Sequence, residues 1–230
     1  MRHSLDSIIT KYKKNIKPDH VYKLCQGSST NKWIVIMKKL SDTITNECRN
    51  VIDIKHAKYR ANKLKVIKII NIFSLCSVKK ITHHPYYSDT ITVYQKNTIV
   101  YPDAYDLNLD EYCSHGIHYY KSIEAAYYHD IPENNYIGQW IEYSDDGIKY
   151  VHNIINGEHN NQSISYHPNG IVRSIETYLN NKHHGLFKRW YSNGEQELDG
   201  NFVDDYRSGT WIFWNPSGDK SKITTYCDEI

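Results

Sequence analysis

The chain of 230 residues is long enough for one or two domains with a sizeable core, and its hydrophobic content of 40% is ordinary. Its five cysteines are odd in number, well spread and without a C-x-x-C pair, which argues against a disulfide framework and for free thiols in a reducing compartment. No apolar run reaches about 18 residues, and residues 1–10 contain no apolar signal-peptide core, so we expect neither a membrane span nor secretion.

The small net charge of +2 conceals an uneven distribution along the chain. Residues 1–80 contain 18 Lys and Arg against 5 Asp and Glu, a formal charge of +13, whereas residues 81–230 contain 10 against 21, a formal charge of −11. The basic half could bind nucleic acid or an anionic membrane. It could equally show solvated lysine faces or attract the acidic half, since its cations are mostly Lys and no known nucleic-acid motif accompanies them.

Residues 1–18 form a lysine-rich basic arm that ends at Pro18, and we expect a short helix or a loose segment there. Between residues 19 and 130, apolar runs rich in β-branched and aromatic residues alternate with polar clusters, which predicts an α+β or mainly β domain. The predicted strands cover residues 20–25, 32–40, 64–73, 90–94, 98–101 and 116–120. Ser122 is typical of an N-cap, so we expect a short helix over residues 122–128, followed by a linker over residues 131–136.

This half of the chain resembles an uncharacterised domain of giant DNA viruses of the mimivirus type, which is commonly joined to repeat modules. The most specific part of the resemblance is Cys113-x-x-Gly116-Ile117-His118-Tyr119-Tyr120, followed by a short helix that contains alanine. The other matching positions are Tyr22-Lys23-x-Cys25, Trp33-Ile34-Val35, Arg60-Ala61, Val66-x-x-Ile69, Tyr94 and Val100-Tyr101-Pro102-Asp103. The resemblance implies no activity, and it implies a viral protein of the infected cell's cytoplasm or of the virion.

The best chemical cluster in this domain is Cys113, His115 and His118, because a thiolate and two imidazoles suit zinc. A fourth ligand would have to come from Cys76, His83 or His84. The alternatives are that Cys113 and His118 are packing residues at the start of a strand, or that Cys113 is a nucleophile with a histidine base. The pairs His83-His84 and His183-His184 stand at turns, where we expect them to be solvated.

The most informative feature of the second half is a glycine period. Gly147, Gly170, Gly194 and Gly218 are spaced 23, 24 and 24 residues apart, and each ends a polar turn between two apolar-rich runs. Such turns are typical of β-hairpins, and a fixed period of this length indicates a repeat architecture. We therefore predict four units of strand, turn, strand and turn over residues 137–159, 160–184, 185–208 and 209–230.

The large side chains of these units fall at fixed distances from the glycines. Four residues before each glycine stand Tyr143, Tyr166, Trp190 and Trp214, on a face that also carries isoleucines and that we expect to be the core face. Seven residues before each glycine stand Trp140, Ser163, Phe187 and Trp211, on the opposite face. The three aromatic residues Trp140, Phe187 and Trp211 are either covered by neighbours or exposed as an apolar strip for a partner. Because Ser163 interrupts the strip, a partner surface would centre on Phe187 and Trp211.

The pattern G-x-W-x-x-W/Y-x-x-(N/D)-G resembles MORN-type repeats, especially the degenerate variant of bacterial proteins described as antitoxins. Its best copy is residues 185–194, GLFKRWYSNG. The second unit departs from the pattern, because Asn161 replaces the opening glycine and Ser163 the aromatic residue. The resemblance implies a surface for a protein partner, in a narrower version a toxin. MORN proteins are also credited with lipid contact, but an acidic repeat half opposes anionic lipid.

The sequence therefore predicts a mainly β or α+β protein, with an N-terminal α+β domain followed by a C-terminal sheet of antiparallel β-hairpin repeats. Since it contains no complete catalytic constellation, we expect a non-enzymatic interaction or scaffold protein without a cofactor, whose partner is a viral or host protein. Two alternatives stay open. One is a small enzyme or a metal- or ligand-binding domain in residues 19–130, and the other is binding of nucleic acid or an anionic membrane by residues 1–80.

Overall fold

A computed structural model describes residues 2–27, 31–84, 91–111, 114–129 and 136–227. Within these ranges strands predominate and every strand pair is antiparallel, which confirms the mainly β class. The chain forms two compact units. Unit 1 comprises Met1–Asp130 together with Asp145–Gly147, and unit 2 comprises Ile131–Ser144 and Ile148–Ile230. Of the predicted linker over residues 131–136, only Tyr136 lies in the described part.

Unit 1 contains two helices and eight strands in its described part. Helix α1 spans Leu5–Tyr12 and continues into a 3₁₀ turn at Lys13–Asn15, and helix α2 spans Ile123–Tyr128. The strands are β1 (His20–Gln26), β2 (Lys32–Lys38), β3 (Lys58–Ala61), β4 (Leu64–Asn71), β5 (Lys80–His83), β6 (Thr92–Gln95), β7 (Ile99–Val100) and β8 (Ile117–Tyr120). Six of them form a sheet in the order β3-β8-β1-β2-β4-β7, and β5 pairs with β6.

Both faces of the six-stranded sheet are buried. In β2, four successive residues, Ile34, Val35, Ile36 and Met37, have no exposed surface although neighbouring side chains point to opposite faces. Val35 and Met37 belong to a core cluster that also contains residues of β5 and β6, while α2 packs on β1 and β8. Burial on both faces explains why β2 and β4 read as nearly continuous apolar runs rather than as alternating ones.

The two helices begin at serine caps. The Ser4 hydroxyl accepts the backbone N–H of Ser7 at the start of α1, and Ile8 in that helix is fully buried. The basic arm is therefore a packed helix and not a loose segment. The Ser122 hydroxyl accepts the backbone N–H groups of Glu124 and Ala125, so the cap of α2 forms where the sequence predicts it.

Arg60 on β3 is a buried cation that holds a loop. Its side chain has no exposed surface. Its guanidinium donates hydrogen bonds to the main-chain carbonyl oxygens of four residues, Asp106, Asn108, Glu111 and His115. Because a buried charge is tolerated only where polar groups replace its water, these carbonyls both stabilise the guanidinium and fix the path of the loop before β8.

Unit 2 is built from one nine-stranded sheet. Its strands are β9 (Gly138–Tyr143), β10 (Lys149–Ile155), β11 (Glu158–His159), β12 (Asn161–Tyr166), β13 (Val172–Leu179), β14 (Lys182–Trp190), β15 (Gln196–Val203), β16 (Tyr206–Trp214) and β17 (Lys220–Tyr226). Strand β10 pairs with β9, β11 and β12, and from β12 to β17 each strand pairs with the next one. The sheet is therefore a series of hairpins in chain order.

The glycine period of the sequence is a backbone period in the sheet. Gly147, Gly170, Gly194 and Gly218 have φ angles of 88°, 85°, 90° and 87°. In the last three of these turns the glycine N–H donates to the carbonyl oxygen three residues earlier, at 2.9, 3.0 and 2.9 Å. The strand register shifts just before each of these three turns. This combination is a type I turn closed by a left-handed residue in a bulge, a conformation that glycine adopts without steric cost.

The opening position of each unit is left-handed as well. Gly138, Gly185 and Gly209 have positive φ angles, and Asn161 has a φ of 59° at the equivalent position of the second unit. Asparagine is one of the few residues besides glycine that visit this region routinely. The second unit therefore keeps the backbone of the other units although its sequence departs from theirs.

We predict that Gly147→Ala destabilises the protein more than Gly194→Ala. Both glycines have a left-handed φ, 88° and 90°, so alanine costs about 1–2 kcal/mol at either position. At Gly147 the added Cβ would also lie 2.5 Å from the carbonyl oxygen of Asp53, whereas nothing lies within 4 Å of it at Gly194. Urea denaturation of the two variants measures the difference in the free energy of unfolding. An equal or larger loss in Gly194→Ala would contradict the packing described for Gly147.

Candidate interaction surface

One face of the unit 2 sheet carries a continuous series of rings, which we call the ring ladder. Its members contact one another in the order His152, His159, Tyr178, His183, Phe202, Phe187, Trp211 and Tyr226. The centroids of successive rings lie between 4.2 and 6.2 Å apart. Aromatic pairs at such distances stabilise a sheet beyond the area that they bury. The ring ladder is therefore the internal framework of unit 2.

Trp211 is the most enclosed member of the ring ladder. It has no exposed surface. Its indole lies over Gly200, where an added Cβ would come within 2.3 Å of the ring, and the guanidinium of Arg207 lies 4.4 Å from the ring centroid. The alternative of an exposed strip is therefore wrong for Trp211, while Trp140 and Phe187 are half-buried. A role of these three residues in partner binding stays a prediction.

The face with Tyr143, Tyr166, Trp190 and Trp214 was expected to be the core face, but of these four residues only Tyr143 is buried, and the face with the ring ladder is the more buried one. Its buried residues are His152, Ile154, Ser163, Ser165, Ser174, Leu198 and Trp211. The physical reason lies in the strand pairing. Gly185 is paired with Phe202, and Gly209 is paired with Tyr226. In these two units the aromatic residue that follows the turn glycine by eight positions therefore lies on the same face as the aromatic residue that precedes it by seven. Two aromatic rows therefore combine on one face.

The ring ladder becomes polar in the second unit. There Ser163 accepts or donates a 2.9 Å hydrogen bond with Nδ1 of His152. On β13, Glu176 accepts hydrogen bonds from the hydroxyls of Ser174 and Tyr178, each at 2.8 Å, and its carboxylate lies 3.1 Å from Nε2 of His183. The expectation that His183 is a solvated turn residue is therefore wrong. Polar groups replace rings here, but they are hydrogen-bonded to one another.

His159 and Glu176 are two of the ionisable groups of this polar region whose pKa values are shifted. Burial lowers the pKa of His159, and the neighbouring His152 lowers it further. Burial alone would raise the pKa of Glu176, but the hydrogen bonds that its carboxylate accepts outweigh burial and place the pKa below its ordinary value. Near neutral pH the region therefore favours a neutral His159 beside an ionised Glu176.

The other face of the sheet, which we call the isoleucine face, carries an apolar row that crosses unit 2. Residues in directly paired positions form this row in the order Ile141, Val151, Ile164, Ile175, Lys188, Asp199, Ile212 and Ile223. Lys188 and Asp199 form an ion pair of 3.2 Å within it. Beside the row stand Tyr166, Trp190 and Trp214, all half-buried. Ile223 on β17 is 60% exposed.

Exposed aliphatic side chains extend the isoleucine face at the two-residue turns. Ile155, Leu179 and Val203 are 39%, 48% and 46% exposed and stand at the ends of β10, β13 and β15. By strand alternation they share the isoleucine face. The period of 24 residues between these three positions is a sequence signal that could have found them.

The predicted zinc ligands are only partly described. Cys113 lies outside the described residues. His115 is exposed, with its Nδ1 3.6 Å from Oδ2 of Asp103, and His118 stands on β8 opposite Arg60. Across the described ranges no group of three or more His, Cys, Asp or Glu side chains is arranged to hold a metal ion. A zinc site at these residues stays a prediction.

Many cations of residues 1–80 are used within unit 1. Four described lysines form ion pairs there, Lys38 with Asp19, Lys39 with Glu47, Lys63 with Asp42 and Lys58 with Asp145, at 2.9, 2.7, 2.6 and 3.3 Å. Arg49 and Arg60 are buried. The exposed remainder includes the four lysines around α1, which are Lys11, Lys13, Lys14 and Lys17. The formal charge of this half therefore overstates the basic surface that it could offer to nucleic acid or lipid.

These features define an antiparallel, mainly β protein whose second unit is a repeat-like sheet. Residues 10–126 match the model of a family described as a family of unknown function (DUF5758), and the chain belongs to that family. The match covers most of unit 1 and ends within α2. Among curated proteins no match to the chain was found. None of the helices in the described ranges is long and apolar enough to cross a membrane.

We predict that unit 2 loses stability as the pH falls from 7 to 5. The unfolded His159, with an ordinary pKa of 6.5, takes up a proton in this range that the folded residue resists, so the stability present above pH 6.5 declines below it. Glu176 has a depressed pKa, so its contribution is present above pH 4.5 and is lost at lower pH.

His159→Phe, which keeps a ring, should flatten the decline of stability between pH 7 and 5, and Glu176→Gln should flatten the decline below pH 4.5. Urea denaturation followed by tryptophan fluorescence measures both; an unchanged slope in His159→Phe would contradict the assignment.

Proposed function

We propose that the chain is a non-enzymatic interaction or scaffold protein of a giant virus, and that unit 2 is a MORN-like repeat module that binds a viral or host protein. The observation that carries the proposal is the isoleucine face. It combines an apolar row across paired strands with exposed aliphatic side chains at the turns. Apolar surface of this extent is typical of protein-binding sites.

The composition of the isoleucine face suits a protein partner. Trp190 and Trp214 are half-buried, and tryptophan contributes strongly to binding when a partner completes its burial. The Lys188–Asp199 ion pair places one charge of each sign within the apolar row. A partner that leaves this pair unmatched would bury two charges at a cost, so the pair favours one orientation of the partner over others.

The charge of the repeats argues against nucleic acid or anionic lipid as the partner of this face. Residues 137–230 contain 13 Asp and Glu against 8 Lys and Arg. Phosphate groups are bound mainly through Lys and Arg, and a surface with an acidic excess repels them. A protein partner needs no such cationic surface.

We predict that Ile223→Lys weakens binding of the partner at least about tenfold, which corresponds to about 1.4 kcal/mol. The substitution places a charge in the apolar row at a residue that is 60% exposed, so the fold should tolerate it. The experiment captures partners of the wild-type chain from infected cells, identifies them by mass spectrometry and measures their affinity for both chains.

The matched control is Ile91→Lys in unit 1, because Ile91 is 57% exposed and stands, unlike the similarly exposed Ile54, away from Asp53, which packs on Gly147 of the first repeat. This variant should bind the partner as the wild type does, and both variants should keep the thermal midpoint of the wild type. Undiminished binding by a folded Ile223→Lys would remove the isoleucine face as the binding surface. Loss of binding in both variants would assign the effect to added charge rather than to this face.

A further inference from the structure

The charges of the isoleucine face are complementary to themselves. Lys188 on β14 and Asp199 on β15 are directly paired in the apolar row and form an ion pair of 3.2 Å. A two-fold axis parallel to the strands, midway between β14 and β15, exchanges these two positions, because directly paired residues lie at the same height along their strands. In a second copy packed face to face about this axis, Asp199 would lie opposite Lys188 and Lys188 opposite Asp199. Neither charge would then be buried without a counter-charge.

The aliphatic part of the row obeys the same symmetry. From the ion pair the row continues with Ile175 and Ile164 in one direction and with Ile212 and Ile223 in the other. The axis therefore places Ile175 opposite Ile212, and Ile164 opposite Ile223, in both symmetric halves of the contact. Ile223 is 60% exposed, so the contact would remove apolar surface from water at both ends of the row.

The rings beside the row leave gaps that a second copy would fill. Tyr166, Trp190 and Trp214 stand at the ends of β12, β14 and β16. Their directly paired neighbours on the strands between them are Val172, Gln196 and Lys220. The axis carries β12, β14 and β16 of one copy over β17, β15 and β13 of the other, so each ring would lie over one of these three neighbours. Rings of the two copies would then alternate along the contact, as the side chains of stacked sheets do when they interdigitate.

The opposite end of the face matches about the same axis. Leu179 and Val203 are 48% and 46% exposed, and their directly paired neighbours are Lys182 and Tyr206. The axis places Leu179 over Tyr206, which is itself 78% exposed, and Val203 over Lys182. A tyrosine ring and the aliphatic stem of a lysine both cover apolar surface while their polar tips stay in water.

The contact is large enough for a specific dimer. The six strands β12–β17, at a spacing of about 4.8 Å, cover about 29 Å, and about seven residues per strand cover about 23 Å. Two such faces would bury on the order of 1,300 Å² in total, which lies at the lower end of specific interfaces. An axis parallel to the strands also keeps the strand directions of the two sheets aligned, which is a usual packing of sheets.

We propose that the partner of the isoleucine face is a second copy of this chain, packed face to face about a two-fold axis between β14 and β15. The inference rests on the proposed function, because it names the protein that binds the same surface. Two independent patterns select this one axis, the charges within the row and the rings beside it. An axis along the row would instead place Lys188 opposite Lys188 and Asp199 opposite Asp199, and like charges would meet.

The test exchanges the two charges in the full-length chain. Lys188→Asp and Asp199→Lys each bring like charges together at both symmetric contacts, so each variant alone should self-associate at least about tenfold more weakly than the wild type. An equal mixture of the two variants restores opposite charges across the axis and should form a heterodimer. Sedimentation equilibrium at protein concentrations up to about 100 μM, above the micromolar Kd of weak interfaces of this size, measures the dimer fraction in each case.

The matched control is the double variant, Lys188→Asp with Asp199→Lys, because it rebuilds the ion pair within each chain and across the axis. It should dimerise as the wild type does. A partly exposed ion pair contributes little to stability, so each single variant should keep the thermal midpoint of the wild type. Single variants that dimerise alone as strongly as they do when mixed would overturn this axis.

The oligomeric state of the wild type decides the inference even if a variant does not fold. A wild type that stays monomeric up to about 100 μM would overturn the second copy as the partner, since the proposed contact is of standard size. The proposed function would still stand in that case if Ile223→Lys loses a captured partner. Dimerisation that follows the charge exchange, together with unchanged capture by Ile223→Lys, would support the self-association and remove a different protein as the partner of this face.

Discussion

Unit 2 depends on backbone positions that adopt a left-handed φ at a fixed period. In each hairpin one such position closes the turn and another opens the first strand. Because a slip of one residue would move every side chain to the other face, these positions keep the ring ladder and the isoleucine face apart. Side chains then join successive turns. The amides of Asn169 and Asn193 donate to the carbonyl oxygens of Ser192 and Pro216, 23 residues further on, at 2.8 and 2.9 Å.

The same constraint explains why the second unit stays in the sheet although Ser163 replaces the aromatic residue of the other units. Its opening position is Asn161, which accepts a left-handed conformation, so the register survives the loss of glycine. Ser163 and Ser165 then occupy buried places in the ring ladder, where Ser165 hydrogen-bonds Ser174 at 2.6 Å. These serine side chains fill less space than rings, but the hydroxyl of each is hydrogen-bonded, so its burial is tolerated. Backbone conformation is therefore the conserved element of the repeat, and side-chain chemistry varies around it.

The sequence predicted the strands that its composition makes obvious and missed those defined only by packing. The segments that became β2 and β4 are rich in β-branched residues, and the turns of unit 2 follow from glycine and its left-handed φ. Strand β3 was missed, because Lys58 and Arg60 are typical of a solvated segment. The carbonyl oxygens that accept hydrogen bonds from Arg60 come from residues about 50 positions later and are visible only in the structure. The burial of each face in unit 2 was predicted wrongly, because it depends on cross-strand register, which no single strand encodes.

Unit 1 contains two inward-facing cations whose surroundings differ. Arg60 donates hydrogen bonds to four main-chain carbonyl oxygens, which replace the water that its guanidinium loses on burial. At Lys23, burial lowers the pKa of the amine, because desolvation disfavours the charged form. The cost of burying a cation is therefore offset by hydrogen bonds at Arg60, whereas at Lys23 it weakens the binding of the proton.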